Sequence, residues 1–184
     1  MSPSPELVVI VDSAGTPLGT WEKSKVHHAE TPLHLAFSCY LFDENGRVLV
    51  TRRALSKQTW PGVWTNSFCG HPGPDEDFSE AILRRAAREL GTSLTGIRSA
   101  LPTFAYRAVD ASGIVENEIC PVFTARITSS LNPAPDEVCD WKWVRIEDLV
   151  AAVTAAPFAF SPWIAKQLPE LLRTGALTET RNDD

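Results

Sequence analysis

No stretch of this sequence approaches the run of about 18–20 apolar residues that a membrane span needs, so no membrane association is expected. A basic surplus is missing too. Seventeen Lys and Arg stand against 23 Asp and Glu, a net charge of −6. General nucleic-acid binders carry the opposite balance, so no nucleic-acid partner is expected. The first residues, Met1 to Glu6, have no basic segment followed by an apolar one. The expectation is therefore no secretory signal and a cytoplasmic protein. None of the four cysteines (39, 69, 120 and 139) forms a C-x-x-C pair. They read as reduced thiols, by default small buried hydrophobes, and not as a disulfide framework. Repeats and low-complexity linkers are absent, and 184 residues suit one domain. An acidic domain of this kind can bind an anion only through a local cluster of cations or a metal ion.

What is present is a mixture of strand and helix signals. Strands are expected at Leu7–Val11, Leu33–Phe42, Val48–Arg53, Ile97–Val109, Ile114–Ile127 and Val138–Val144, several of them ended by Asp, Asn or Gly turns. Residues 54–76 hold three prolines and several glycines and read as a long loop, a length usually tied to function. Helices are expected at Phe78–Leu90, closed by Gly91, at Ile146–Ala155 and at about Ser161–Arg173, where Pro169 threatens a kink. The order predicts an α+β protein, a layered α/β/α sandwich with a mixed sheet. Residues 1–6 and 175–184 read as a disordered N-terminus and a flexible tail around a single domain at 7–174.

Three features carry chemistry. On the helix at 78–90, Arg85 and Glu89 fall beside the apolar Phe78 and Ile82, four residues apart. They read either as an edge salt bridge or as a charged pair facing a ligand. In the apolar strand at 114–123, Glu116 and Glu118 point to one face, about 7 Å apart at Cα. Either that face is wet, or a divalent cation offsets two carboxylates whose unpaired burial would cost several kcal/mol each. All four histidines, His27, His28, His34 and His71, lie early in the chain. Histidine with carboxylate ligands suits an octahedral Mn²⁺ or Mg²⁺ better than a closed zinc site. Cys69, between Phe68 and Gly70-His71, has the surroundings of a reactive thiol. Arg52, Arg53 and Lys57 form a basic stretch that fits either a diphosphate grip or an ordinary strand end.

Gly70, Glu76 and the segment Arg84-Arg85-Ala86-Ala87-Arg88-Glu89-Leu90-Gly91 resemble the Nudix box, G-x5-E-x7-R-E-U-x-E-E-x-G-U. Arg85 and Arg88 replace two of its carboxylates, and Thr92 replaces its last aliphatic residue. That points away from ordinary Nudix hydrolysis. The flanking motifs are similar to those of type I isopentenyl-diphosphate delta-isomerases. They include Leu33-His34-Leu35-Ala36-Phe37, Thr51 to Lys57, Trp60 to Ser67, Cys69-Gly70-His71-Pro72, Gly113 to Glu118 and Phe160-Ser161-Pro162-Trp163. The resemblance runs from about Val8 to Leu172, with a Nudix core at about 32–166.

The resemblance implies a Mn²⁺ (or other divalent) site of His27, His34, His71, Glu116 and Glu118. His27 is chosen over His28 because it lies seven residues before His34. It implies a proton-transfer pair, Cys69 and Glu118, assisted by Tyr106 through a hydrogen bond to Glu118. Trp163 would stabilise a carbocation, and Glu89 would help hold a Mg²⁺ that arrives with the substrate. Lys23, Arg53, Lys57 and Arg85 would bind the diphosphate. The implied partner is a small isoprenyl diphosphate, and the implied state is a monomer or weak homodimer. Two other readings stand beside the isomerase: a Nudix hydrolase, and a metal-binding domain that keeps the fold without catalysis.

Overall fold

In the computed structural model, which describes residues 5–177, the chain begins with β1 (Leu7–Val11), β2 (Pro17–Glu22) and the short helix α1 (Lys23–Val26). It continues through β3 (His34–Leu35), β4 (Phe37–Phe42), β5 (Val48–Arg53), β6 (Trp64–Thr65) and β7 (Phe68–Gly70). Helix α2 (Phe78–Arg85) runs into a π-helical turn, Ala86–Leu90, followed by β8 (Leu94–Leu101), β9 (Ala105–Val109), β10 (Val115–Ile119), β11 (Val122–Ile127) and β12 (Val138–Val144). Helices α3 (Ile146–Ala155) and α4 (Pro162–Thr174) close the described chain.

Every residue of β4 is buried, and this sets the layering. Phe37, Cys39 and Leu41 pack with Ile82, Ala86 and Leu90 of α2 and its π-helical turn. Tyr40 and Phe42, on the other face, pack with Trp163, Ile164, Leu168 and Leu171 of α4. A strand covered by helices on both sides has no wet face, so its sequence reads as an unbroken apolar run. The expected α+β sandwich is what forms.

The strands divide between two sheets. One has the order β2-β1-β3-β10-β9; the other runs β12-β5-β4-β11-β8, with β6 on β5 and β7 on β4. The pairings β3 with β10 and β4 with β11 are parallel, so the sheets are mixed. Three segments expected as single strands are each split across the two sheets. The breaks fall at Ala36, at Pro102–Phe104 and at Cys120-Pro121. Proline has no N–H to continue a ladder. Around the breaks, backbone bonds run from Ala36 N to Ile119 O at 2.9 Å and from Cys120 N to Phe104 O at 2.9 Å. The chain stays tied together where the sheets diverge, and a cleft opens at that line.

Other expectations needed adjustment. The loop expected at 54–76 contains β6 and β7, too short to show a period. β2 was not anticipated, because Pro17 and Gly19 interrupt its pattern. α2 has a capping box: Asp77 accepts from Glu80 N at 2.9 Å, and Glu80 accepts from Asp77 N at 3.4 Å. The helix expected to reach Leu90 does so only by loosening into the π-helical turn before Gly91, at φ 58°. Helix α4 passes through Pro169 unbroken. Leu177, expected in the tail, is buried against the α4 side of the core; positions 1–4 and 178–184 of the expected flexible ends lie outside the described residues.

Candidate metal centre and active site

The cleft between the sheets holds a cavity of about 460 Å³. Thirteen residues were expected to form the site. Twelve line this cavity, and His34 stands fully buried behind it. β3 supplies His34, β10 supplies Glu116 and Glu118, and β9 supplies Tyr106, all from one sheet. β7 supplies Cys69 from the other sheet, with His71 just beyond it. His27 caps α1, and Trp163 opens α4.

At the floor of the cavity, His27, His34, His71 and Glu118 each aim one ligand atom at the others, all within 4.8 Å. Glu118 Oε1 lies 3.1 Å from His71 Nε2, 3.5 Å from His34 Nε2 and 4.0 Å from His27 Nε2. Strand alternation explains part of this. Glu116 and Glu118 share a face, and parallel pairing sets Glu118 opposite His34. Glu116 stands one step aside. Its Oε2 is 3.1 Å from His27 Nε2, and its Oε1 accepts from Thr59 Oγ1 at 2.7 Å. Burial opposes charge on His27, but Glu116 and Glu118 outweigh it and raise its pKa to about 9. Burial dominates at His71 and lowers it to about 3, so its contact with Glu118 is a hydrogen bond and not an ion pair. Burial also works against the Glu118 charge, yet the surrounding histidines hold its pKa well below the usual range.

The donor set fits a divalent cation. His34 Nδ1 lies 2.9 Å from Pro32 O; that carbonyl can only accept, so Nδ1 carries a proton and Nε2, 3.5 Å from Glu118, is the ring nitrogen that a cation would take. Nε2 of His34 and Nδ1 of His71 are buried with no hydrogen-bond partner, and His27 Nε2, also without one, meets the Glu116 carboxylate only as a charge contact. Several buried ring nitrogens without partners are costly in a closed protein core, and a cation among them removes that cost.

On the cavity wall, burial pushes the Cys69 thiol up to about 12, although Ser38 and Asn66 bond to it. It is a protonated thiol at neutral pH. Gly70 must be glycine, because a Cβ there would lie 2.6 Å from Arg85 Cγ and 2.8 Å from Phe37 Cζ. Trp163 is fixed from several sides. Ser161 N bonds to Trp64 O at 2.8 Å, anchoring the start of α4. Trp60 meets the Trp163 ring edge-on with centroids 5.7 Å apart, and the Arg53 guanidinium carbon stands 5.3 Å from its centroid. Tyr106 pairs across the strands with Glu118, and its ring is 5.8 Å from Trp163. The expected hydrogen bond from Tyr106 to Glu118 is not formed; Glu118 faces the histidines instead.

The basic residues collect along one wall, but they are already paired. Lys23 bonds Glu6 at 3.0 Å, Lys57 bonds Glu137, and Arg85 Nη2 lies 2.7 Å from Glu89 and 3.4 Å from Glu137. Arg53 donates to Thr59 O and Trp60 O, bracing the loop that carries Thr59. Of the two readings of Arg85 and Glu89, both apply: the pair is an i,i+4 bridge, and it lines the cavity. Arg85 Nε is buried without a partner. Glu6, Thr59, Asn66 and Glu137 were not anticipated. Glu137 lies far along the chain in an irregular segment, held by Ala134 N to Glu89 O at 2.9 Å and Ala54 N to Glu137 O at 3.0 Å. No sequence period marks such a residue.

Residues 32–170 match the NUDIX domain family. In overall shape the chain is similar to a crystal structure from Deinococcus radiodurans, with TM-score 0.69 and 19% identity over 90% of this chain and 99% of that one. It is also similar to the MutT protein of Methanosarcina mazei, with TM-score 0.61 and 18% identity over 79% and 97%. These two likenesses concern the fold alone. In sequence it is 59% identical over 172 residues to the isopentenyl-diphosphate Delta-isomerase of Paenarthrobacter aurescens, covering 94% of each chain. It is 55% identical over 181 residues to that of Brevibacterium linens, covering 97% of this chain and all of that one. A match of this extent and identity, on a NUDIX fold with a histidine and carboxylate cluster at its cleft, makes the chain a member of the isopentenyl-diphosphate Delta-isomerase family.

Proposed function

We propose that this protein interconverts isopentenyl and dimethylallyl diphosphate, with His27, His34, His71, Glu116 and Glu118 holding a divalent cation such as Mn²⁺. The observation that carries the reading is the convergence of three histidines and Glu118 within 4.8 Å beside the Cys69 wall. Shifting the double bond protonates one carbon and removes a proton from another, with a tertiary carbocation between. An acid and a base must therefore flank the bound alkene. Cys69, a neutral thiol, and Glu118, a carboxylate, have opposite proton content at neutral pH and suit the two roles. Tyr106, opposite Glu118, lies within the same buried volume and closes it to water. Trp163 presents an aromatic face, an interaction worth about 2 kcal/mol or more for a desolvated cation. A divalent cation bound at the histidine site offsets the charge of the adjacent carboxylates.

Lys23, Arg53, Lys57 and Arg85 take the diphosphate, and the unpartnered Arg85 Nε supports this. Glu89, on the same wall, suits a Mg²⁺ that enters with the diphosphate. Binding energy from the diphosphate holds a small alkene that offers few handles of its own.

Allylic diphosphates ionise in acid, while the homoallylic isomer does not, so acid-labile product measures turnover. The expected result is acid-labile product from isopentenyl diphosphate, lost on chelation and restored by Mn²⁺. Release of phosphate at neutral pH without acid-labile product would establish a hydrolase instead.

A further inference from the structure

A buried chain of hydrogen bonds runs behind Cys69, and the orientation of Asn66 anchors its direction. Asn66 is fully buried. Its Nδ2 donates to two backbone carbonyls, Cys39 O at 3.0 Å and Phe68 O at 2.8 Å. Carbonyls only accept, so the amide has one possible orientation. Its Oδ1 then accepts from Trp163 Nε1 at 3.0 Å, from Thr65 Oγ1 at 2.9 Å and from Cys69 Sγ at 3.3 Å. With the amide so fixed, Oδ1 is an acceptor toward which the single thiol proton of Cys69 points at rest.

This settles the next link. Ser38 Oγ lies 3.3 Å from Cys69 Sγ and 3.5 Å from Cys120 Sγ; with the thiol proton of Cys69 on Asn66, the serine hydroxyl donates to the nearer sulfur, that of Cys69. Ser38 in turn accepts from Gln167 Nε2 at 2.9 Å, and Gln167 Oε1 accepts from Tyr40 OH at 3.0 Å. Tyr40, Gln167 and Ser38 are all fully buried. With Ser38 donating to the nearer sulfur, the chain runs in one sense from Tyr40 to Cys69.

We infer that Asn66 and Ser38 are positioning residues that clamp the Cys69 thiol between a fixed acceptor and a fixed donor, and that Asn66 locks the thiol and the Trp163 ring to one oxygen. A free thiol rotor would spread its proton over several directions. Here the sulfur lone pairs and the proton have set orientations, and the acid and the aromatic face keep one separation while a featureless alkene turns over between them. The inference rests on the proposed proton-transfer role of Cys69.

The test uses Asn66→Ala and Ser38→Ala in the full chain. Each should lower kcat about tenfold or more, the scale of one hydrogen bond that holds the thiol in its reacting position. KM for isopentenyl diphosphate should stay within about twofold, because neither residue touches the diphosphate wall. In addition, the infrared S–H stretch of Cys69, assigned by its disappearance in Cys69→Ala, should move to higher frequency in Asn66→Ala, measured without substrate. A purely structural role would not move that band selectively. A kcat within twofold of wild type in either folded variant, a KM that rises in step with the fall in kcat, or an unmoved band overturns the clamp. If Asn66→Ala does not fold, Ser38→Ala decides through kcat and KM. Activity persisting in Cys69→Ala would instead remove the proton-transfer reading itself.

Discussion

Replacing Glu137 by Gln takes one negative charge from between two cations of the cavity wall. Glu137 accepts from Lys57 Nζ and lies 3.4 Å from Arg85 Nη2. Arg85 is 5% exposed and keeps Glu89 at 2.7 Å as a partner. A hydrogen bond to a charged group contributes about 1.5–3 kcal/mol, and removing one partner of a fully buried pair costs about 3–5 kcal/mol. Glu137 itself is only partly buried, so screening lowers the loss to about 2–3 kcal/mol. At about 2–4 °C per kcal/mol for a chain of this size, the melting temperature should fall by about 4–12 °C. Burial works against the Glu137 charge, but Arg85 and Lys57 outweigh it and hold its pKa at about 2, against an ordinary 4.5. A depressed pKa means stability that is fully present above the ordinary value and lost as pH falls through the depressed one. The gap between wild type and Glu137→Gln should thus be widest above pH 4.5 and close toward pH 2. Circular-dichroism melts across that range measure it. Inorganic diphosphate should raise the melting temperature more in the variant, because the anion replaces the missing carboxylate. Melting temperatures within 1 °C at neutral pH, or a gap that does not narrow in acid, would mean that Glu137 does not stabilise the fold through Lys57 and Arg85.

Gly70→Ala should destabilise the fold by about 1–3 kcal/mol, since its Cβ collides with Arg85 Cγ and Phe37 Cζ and β4 leaves no room; denaturant unfolding gives the value, and an unchanged midpoint contradicts it. Glu116→Gln should lower bound Mn²⁺ after loading and desalting, read by elemental analysis; equal stoichiometry removes Glu116 from the ligand set. Iodoacetamide at pH 8 should modify the exposed Cys139 well before Cys69, whose thiol is held protonated; peptide mapping that finds Cys69 modified first contradicts that protonation state.

The chemistry of the site was more legible in the sequence than its architecture. Glu116 and Glu118 stood out because two carboxylates on one strand face are anomalous in an apolar run. Arg85 and Glu89 stood out because helical spacing puts them on the core side. Local periodicity carries both signals. The strand breaks at Ala36 and at Cys120-Pro121 were hidden for the opposite reason: apolar residues on both sides join into one continuous pattern, although the segments belong to different sheets. Only Pro121 hinted at the second break. The π-helical turn was equally silent, since Ala86 and Leu90 satisfy ordinary helical spacing. Asn66 and Glu137 act through bonds to backbone and to distant side chains, which leave no period at all. The pairing of Lys23 with Glu6, and of Lys57 and Arg85 with Glu137, was also out of reach, because it depends on separate segments meeting at one wall.

We propose that the residues of this cleft carry out the isomerisation. Isopentenyl diphosphate incubated in D₂O with the Mn²⁺-loaded protein, followed by proton NMR, tests it most directly. The expected product is dimethylallyl diphosphate carrying deuterium from solvent, with the diphosphate intact. Unchanged isopentenyl diphosphate with every divalent metal tried, or phosphate release with no isomer, would contradict it.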